Sequence, residues 1–261
     1  MAEALFVREG EVFHPTRLTE GPWSPDAQHG GPPSALLGRA IAQAPSPAPM
    51  MVARVSVNLL RPVPLEPLVL TTEITRQGKQ VQLVHAALSH RDVKVAEATG
   101  LRLRMRDIQI PFEVDPGHDL PGPEEGRPAR LFTRAGAYAE QAMEIRVVEG
   151  DFIEPGPGKA WFRIRVPVVA GEEPSTVERA CAAADFGNGL SAFDPDRTWL
   201  FINPDLTVRF ARPSSGEWVG MASRSTPHPT GTGLAESVLY DLEGRFGSAA
   251  QALLVEPLDR S

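Results

Sequence analysis

The chain has 261 residues, of which 42% are hydrophobic and 23% are charged, a balance typical of a globular protein with sizeable cores. Its formal net charge is −7, and its Lys and Arg residues are dispersed along the sequence. This pattern disfavours a nucleic-acid-binding protein, because phosphate neutralisation requires a concentrated basic patch. The N-terminus has no positive start and no apolar run suited to a signal peptide or a membrane span. Cys181 is the single cysteine, which excludes an intrachain disulfide and fits a reducing compartment, so we expect a cytoplasmic protein without membrane insertion.

The N-terminal half is predicted to contain one helix and several antiparallel strands. Short strands are expected near Val12–Phe13 and Arg17–Leu18. A helix follows Pro32 and Pro33 and ends before Pro45, with apolar residues at helical spacing (Leu37, Ala40, Ile41 and Ala44). Longer strands are expected around 52–60, 68–74, 80–88 and 93–105. Residues 1–107 are therefore assigned to an N-terminal unit.

The region from 108 to 130 is rich in Pro, Gly and acidic residues and lacks periodicity, which is typical of an interdomain linker. Residues 131–261 then form a C-terminal unit with the same order of elements. Its helix begins with a capping box, Ser175 with Glu178, in which each side chain accepts from the backbone N–H of the other residue. Strands are expected around 144–148, 160–166, 199–210, 217–223, 233–240 and 247–255. The order of helix and strands predicts an α+β fold.

The stretch from Ser56 to Gly100 is repeated from Thr207 to Gln251 at a constant offset of 151 residues, without a gap. Residues identical at this offset include Arg61–Pro62 with Arg212–Pro213, Val57 with Val208, Glu66 with Glu217, Leu83 with Leu234, Leu88 with Leu239, and Ala98 with Ala249. This many matches in register indicate a duplicated unit. A duplication creates a pseudo-two-fold seam, and clefts at such interfaces are preferred ligand sites.

Asp185 is the strongest single candidate for a functional residue. It follows Cys181 by four positions and therefore lies on or near the apolar face of the second helix. An ionised carboxylate there is costly unless it is paired, hydrogen-bonded or hydrated. The alternative is a helix-end Asp that faces solvent or caps the turn at Gly187–Gly189.

The segment His29-Gly30-Gly31 directly precedes the first helix and is a candidate substrate-binding turn. Glycines allow a backbone to approach a ligand closely, and amides at a helix start can stabilise a developing oxyanion. Since Pro32 and Pro33 have no N–H, such donors must come from Gly31 or earlier. The alternative interpretation is a tight turn into the helix.

Gln251 and Asn203 are polar residues beside hydrophobic strands, and a side-chain amide can orient a water molecule. The repeat pairs Leu101 and Leu103 with Ala252 and Leu254, which predicts that Gln251 faces away from the core unless a bulge intervenes. Asn203 belongs to an Asn-Pro-Asp sequence that could equally form a turn before the strand proper.

Other catalytic patterns are missing from the sequence. The six histidines have no HxxxH or HExxH spacing, so we expect no metal site. There is no nucleophile elbow, P-loop or dinucleotide-binding glycine motif, and no cofactor is expected. Cys181 has no nearby histidine and lies on an Ala-rich helix face, which favours a core position over a nucleophile.

Three segments resemble the bacterial type II acyl-CoA thioesterases: HGGPPSALLGRAIAQ, SVNLLRPVPLEPLVLTTEITRQGKQVQLVHAAL and NPDLTVRFARPSSGEWV. The resemblance implies a double hotdog fold, in which two units each wrap a curved antiparallel sheet around a long helix. It also implies an acyl-CoA substrate, a role in lipid metabolism and, by analogy, a homodimer or higher homo-oligomer. Asp185 matches the family's general base and Gln251 its water-holding glutamine, whereas Asn203 replaces the family's Thr or Ser. The Gly30 and Gly31 amides are implied to face the thioester.

The leading hypothesis is a thioesterase that hydrolyses acyl-CoA by Asp185-activated water, without a covalent intermediate. A single site is expected per chain, because the first helix carries no carboxylate at the place of Asp185. One alternative is a non-catalytic acyl-CoA-binding protein, motivated by Asn203 and by the strand face predicted for Gln251. Another is an enoyl-CoA hydratase or dehydratase, which usually requires a His beside an Asp, and no histidine is close to Asp185 in sequence.

Overall fold

A computed structural model describes residues 3–112, 117–132, 135–194 and 198–258. Within these ranges, 14 strands form one sheet. The strands are β1 (Phe6–Glu9), β2 (Val12–Pro15), β3 (Met50–Leu59), β4 (Leu68–Gln77), β5 (Val81–His90), β6 (Val93–Arg104), β7 (Arg127–Pro128), β8 (Met143–Glu149), β9 (Gly158–Ile164), β10 (Trp199–Ile202), β11 (Asp205–Phe210), β12 (Val219–His228), β13 (Thr232–Asp241) and β14 (Gly244–Pro257). The α-helices are α1 (Gly31–Gln43), α2 (Thr176–Ala184) and α3 (Gly187–Leu190).

The two halves of the sheet have the same strand order. In the first half the order is β4-β5-β6-β3, and in the second it is β12-β13-β14-β11. The halves join where β3 pairs antiparallel with β11. There Thr207 lies opposite Ser56, its own repeat mate, and its hydroxyl donates to the Ser56 hydroxyl at 3.1 Å. Repeat mates that face each other mark a pseudo-two-fold axis, which confirms the duplication and the double hotdog fold.

The two long helices pack against each other in antiparallel orientation. α1 packs on β3, β5 and β6, whereas α2 packs on β9, β11 and β12. The start of α1 at Gly31 lies beside Ala182 near the end of α2, and Arg39 near the end of α1 binds Glu172, which precedes α2. No helix in the described ranges is both long enough and apolar enough to cross a membrane.

The local signals at the helix ends form as expected. α1 carries two prolines in its first turn, where their missing N–H groups have no intrahelical acceptor, and it ends shortly before Pro45. α2 begins with the predicted capping box: Glu178 N–H donates to Ser175 Oγ at 3.3 Å, and Ser175 N–H donates to Glu178 Oε2 at 2.8 Å.

Two predicted strands differ from the structure. Arg17–Leu18 belongs to a 3-10 helix, Arg17–Thr19, because Thr16 Oγ1 accepts from the Leu18 N–H and favours a turn. The strand expected at 199–210 is interrupted between β10 and β11. Ile202 pairs with Leu254 and Thr207 with Ala250, so five residue steps run against four on β14. This extra residue is a β-bulge, and bulges re-aim side chains beside functional sites.

The predicted strand face of Gln251 is also wrong. Gln251 is buried on the inner face of β14, while Leu254 lies on the outer face and is 39% exposed. Leu103 in β6 is likewise 39% exposed. The outer face of this sheet carries apolar side chains, so the hydrophobicity of Leu101 and Leu103 did not mark the core side.

Gly100, the repeat mate of Gln251, lies against Ile41 of α1. A Cβ atom at Gly100 would overlap Ile41 Cγ2, so the two halves use this position differently.

We expect Gly100→Ala to destabilise the protein by about 1–3 kcal/mol, because an overpacked core forces its neighbours to shift. Urea unfolding would measure this cost. The control Thr99→Ala, at the adjacent exposed position, should remain within about 1 kcal/mol of wild type; equal effects of both substitutions would contradict the packing argument.

Cys181 is fully buried between α1 and α2, where it packs against Gly38. Burial, followed by the nearby charge of Glu178, raises the pKa of the thiol to about 12. A thiol that is neither ionised nor exposed is a poor nucleophile.

We therefore expect a disulfide reagent at mildly alkaline pH to leave Cys181 of the native protein unlabelled and to label the denatured chain fully. Rapid labelling of the native protein would refute this assignment.

Candidate active site

Asp185 lies directly after α2, at the point where the end of α2 meets the start of α1. The residue is 5% exposed, so its carboxylate is almost completely removed from water. The first turn of α1 presents the positive end of a helix dipole to this carboxylate, which favours the ionised form. The remaining charge must be balanced by hydrogen-bond donors.

One oxygen of the Asp185 carboxylate is bound by two side-chain amides. Asn203 Nδ2 donates to Oδ1 at 2.8 Å. Gln251 Nε2 lies 3.3 Å from the Asp185 backbone oxygen and 3.5 Å from Oδ1. Asn203 reaches this position from the bulge between β10 and β11, and Gln251 reaches it from the inner face of β14.

The second oxygen is bound by the segment before α1. His29 Nδ1 lies 2.9 Å from Asp185 Oδ2, and the Gly31 N–H also donates to the carboxylate. A Cβ atom at Gly30 would come within 2.6 Å of Oδ2, so the carboxylate fits against this turn because Gly30 has no side chain.

These donors determine the charge state of Asp185. Burial acts to raise the pKa of Asp185, but the charge and hydrogen bond of His29, together with the Asn203 and Gly31 donors, outweigh burial. The pKa of Asp185 is therefore held below its ordinary value, and the carboxylate is ionised at neutral pH.

Asn188 orients both amides that face Asp185. Its backbone N–H donates to Gln251 Oε1 at 3.1 Å, and its side-chain Nδ2 lies 3.5 Å from Asn203 Oδ1. With both oxygens directed to Asn188, the amide NH₂ groups of Gln251 and Asn203 point to the carboxylate. Asn188 lies within the Gly187–Gly189 turn, and no motif in the sequence marked it as a site residue.

Aromatic rings enclose the His29 side of the site. The His29 ring lies 5.0 Å from Tyr138 and 4.6 Å from Phe186, measured between centroids. Tyr138 is fully buried in a π-helical turn, Tyr138–Ala142, and donates to the Ala182 carbonyl at 3.0 Å. π-Helical turns are frequent at functional sites, but this turn has no clear signal in the sequence.

A second group of rings lies where the site approaches the surface. Phe201 precedes Asn203 by two residues, and its carbonyl accepts from Asn188 Nδ2 at 3.2 Å. Trp23, which is 56% exposed, contacts Phe201 edge-on, with 6.4 Å between the ring centroids. The Phe193 ring also contacts Phe201, at a centroid distance of 5.0 Å.

At the opposite end of the helix pair, an arginine and a glutamate form an ion pair. There Arg39, whose side chain is 5% exposed, donates to both carboxylate oxygens of Glu172 at 2.6 Å. This bidentate ion pair occupies the place that the His29–Asp185 pair has at the other end. Within the described ranges, no three His, Cys, Asp or Glu side chains are grouped so that they could hold a metal ion.

The structure brings together all six sequence candidates: Asp185, Asn203, Gln251, His29, Gly30 and Gly31. Their assembly corrects one argument from the sequence. No histidine is near Asp185 along the chain, but His29, 156 residues earlier, contacts it directly. The antiparallel helix packing produces this contact, so sequence distance was not a valid reason to exclude a His–Asp pair.

Two family models of acyl-CoA thioesterase domains match most of the chain. The model of the acyl-CoA thioesterase N-terminal domain matches residues 19–103, and that of the C-terminal domain matches residues 116–255. A comparison with curated protein sequences gives no match.

Solved structures of similar fold cover almost the whole chain. A hot dog fold protein of unknown function from Alicyclobacillus acidocaldarius is 15% identical, with a TM-score of 0.75 over 97% of this chain and 96% of its own. An acyl-CoA thioesterase II from Mycobacterium marinum is 16% identical, with a TM-score of 0.67 over 100% and 98%. At these identities the likeness shows the fold. Together with the two domain matches, it establishes that the chain belongs to the type II acyl-CoA thioesterase-like family of double hotdog proteins.

Proposed function

We propose that the protein is an acyl-CoA thioesterase, which hydrolyses an acyl-CoA to the free acid and CoA by direct attack of water. The observation that carries this proposal is the buried, ionised Asp185, whose carboxylate is bound by groups from both hotdog units. Family membership supports thioester hydrolysis in general, and the geometry supports water-based chemistry at this carboxylate. The cytoplasm is the proposed location, and a homodimer or higher homo-oligomer is the proposed assembly.

The reaction requires a base for water and a donor for the thioester oxygen. The His29–Asp185 pair supplies the basic group, and the amides of Asn203 and Gln251 hold the Asp185 carboxylate in place. The Gly31 N–H is already directed to Asp185. We therefore assign the preceding amide, that of Gly30, to the developing oxyanion, since a donor aimed at that charge lowers the barrier.

The surroundings of Asp185 disfavour a covalent route. The thiol of Cys181 is buried and has its pKa raised to about 12, so little thiolate is available. Cys181 precedes Asp185 by one turn of α2 and packs toward α1. These contacts disfavour a thioester intermediate on Cys181, and direct attack of water is the proposed chemistry.

We expect Asp185→Asn to lower kcat for acyl-CoA hydrolysis by roughly 100- to 10,000-fold, because the ionised carboxylate of the His29–Asp185 pair is lost. KM should change by only a few-fold, since the substitution keeps the size of the side chain. Release of the CoA thiol measures the rate, with a series of acyl-CoAs of different chain length as substrates.

The matched control is Glu236→Gln, which also neutralises a carboxylate but at an exposed position on β13. Its rate should equal that of the wild type. An unchanged rate in Asp185→Asn, or the absence of thiol release from any acyl-CoA by wild-type protein, would contradict the proposed function. Tight acyl-CoA binding without release would identify a binding protein.

The contact between His29 and Asp185 also favours a second candidate, an enoyl-CoA hydratase or dehydratase. Such enzymes use a His beside an Asp, and the two side chains are 2.9 Å apart here. The two activities differ in the bond that water attacks, since hydration adds water to a carbon–carbon double bond and keeps the thioester intact.

An unsaturated substrate, crotonyl-CoA, separates these two reactions in a single assay. For a thioesterase we expect thiol release at a rate comparable to that with the saturated butyryl-CoA. Hydration would instead remove the enoyl absorbance without release of thiol. That second outcome would replace the proposed function by the hydratase.

A further inference from the structure

Protein donors surround both oxygens of the Asp185 carboxylate. A carboxylate accepts about four hydrogen bonds. Oδ1 faces Asn203 at 2.8 Å and Gln251 at 3.5 Å, and Oδ2 faces His29 at 2.9 Å, while the Gly31 N–H donates to the same group. Since Asp185 is also buried, its oxygens are poorly placed to accept a proton from an attacking water directly.

The hydrogen bonds of His29 determine which ring nitrogen carries its proton. Nδ1 lies 2.9 Å from Asp185 Oδ2 and 3.1 Å from the Gly31 nitrogen. One ring nitrogen cannot donate to the first and accept from the second, and an ionised carboxylate can only accept. Nδ1 therefore holds the proton that is donated to Asp185, and the Gly31 N–H is directed to the carboxylate.

This assignment leaves the lone pair of the neutral imidazole on Nε2. Within the described ranges, both hydrogen-bonding contacts of the His29 ring involve Nδ1 and neither involves Nε2. The His29 side chain is 12% exposed, whereas that of Asp185 is 4% exposed. Nε2 is thus a proton acceptor held in a fixed direction by a buried carboxylate.

The remaining neighbours of His29 keep its ring in place without adding charge. Phe186, beside Asp185, and Tyr138, in the π-helical turn, pack on the imidazole. Burial, followed by the charge of Asp185, raises the pKa of Tyr138 well above its ordinary value, so the phenol stays neutral. The titratable groups that face His29 from these elements are therefore an ionised Asp185 and a neutral Tyr138.

We propose that His29 is the catalytic general base of the proposed thioesterase and that Asp185 acts through it as a positioning residue. Nε2 takes a proton from water while the water oxygen bonds to the thioester carbonyl carbon. Asp185 stabilises the resulting imidazolium. The tetrahedral intermediate then breaks its carbon–sulfur bond, and Nε2 returns the proton to the departing sulfur. The products are the acid and the CoA thiol.

The test compares the pH dependence of kcat in wild type and in His29→Asn. An Asn amide places a donor near the position of Nδ1 and keeps the contact with Asp185, but it has no counterpart of Nε2. With His29 as base, the wild-type rate falls on acidification, because a protonated imidazole cannot accept a proton from water. His29→Asn should lower kcat by roughly 100- to 10,000-fold, with a small change in KM, and should remove that acid limb.

His14→Asn is the matched control, because His14 is a surface histidine paired with Glu9. Its rate and pH profile should match those of the wild type. If His29→Asn does not fold, His29→Ala with added imidazole gives a second measurement, in which saturable recovery of activity supports the proposal and a lack of recovery opposes it.

The inference rests on the proposed function, but the two can fail separately. Retention of kcat in His29→Asn, or an unchanged acid limb, would overturn the role of His29 while leaving the thioesterase in place. A wild-type protein without turnover on any acyl-CoA would overturn both.

Discussion

The layout of this protein depends on the need to keep one buried carboxylate ionised. An unpaired charge in a protein interior costs several kcal/mol, so Asp185 requires donors from every side. They come from four different places: the turn before α1 provides His29, the first turn of α1 provides the Gly31 amide, the bulge after β10 provides Asn203, and β14 provides Gln251. The antiparallel helix pair and the sheet register are what bring these distant segments to a single point.

The two halves of the duplicated scaffold share one topology, but the side chains at equivalent positions differ. Gln251 supplies an amide to the site, whereas its repeat mate Gly100 leaves room for Ile41 of α1. At the far end of the helix pair, Arg39 and Glu172 form a closed ion pair in which each charge neutralises the other. One end of the helix pair thus has an imidazole with an available nitrogen, and the other end has a pair whose charges satisfy each other.

Local sequence signals were sufficient for most of the secondary structure. The capping box at Ser175 and the prolines at the start of α1 act within one helical turn, so neighbouring residues alone determine them. The strand face of Gln251 could not be read in this way, because both faces of β14 carry apolar residues. The resemblance to thioesterases pointed to Asp185, Asn203 and Gln251, but the orienting role of Asn188 depends on hydrogen bonds between segments far apart in the chain.

The sequence by itself determined the repeat and its offset, the two long helices, and Asp185 as a carboxylate on an apolar helix face. These features depend on periodicity and on neighbours within a few residues. Tertiary structure decided which groups the carboxylate meets. His29 lies 156 residues before Asp185, and the contact exists because α1 and α2 pack antiparallel. The bulge that aims Asn203 inward results from strand pairing with β14, which local patterns do not encode.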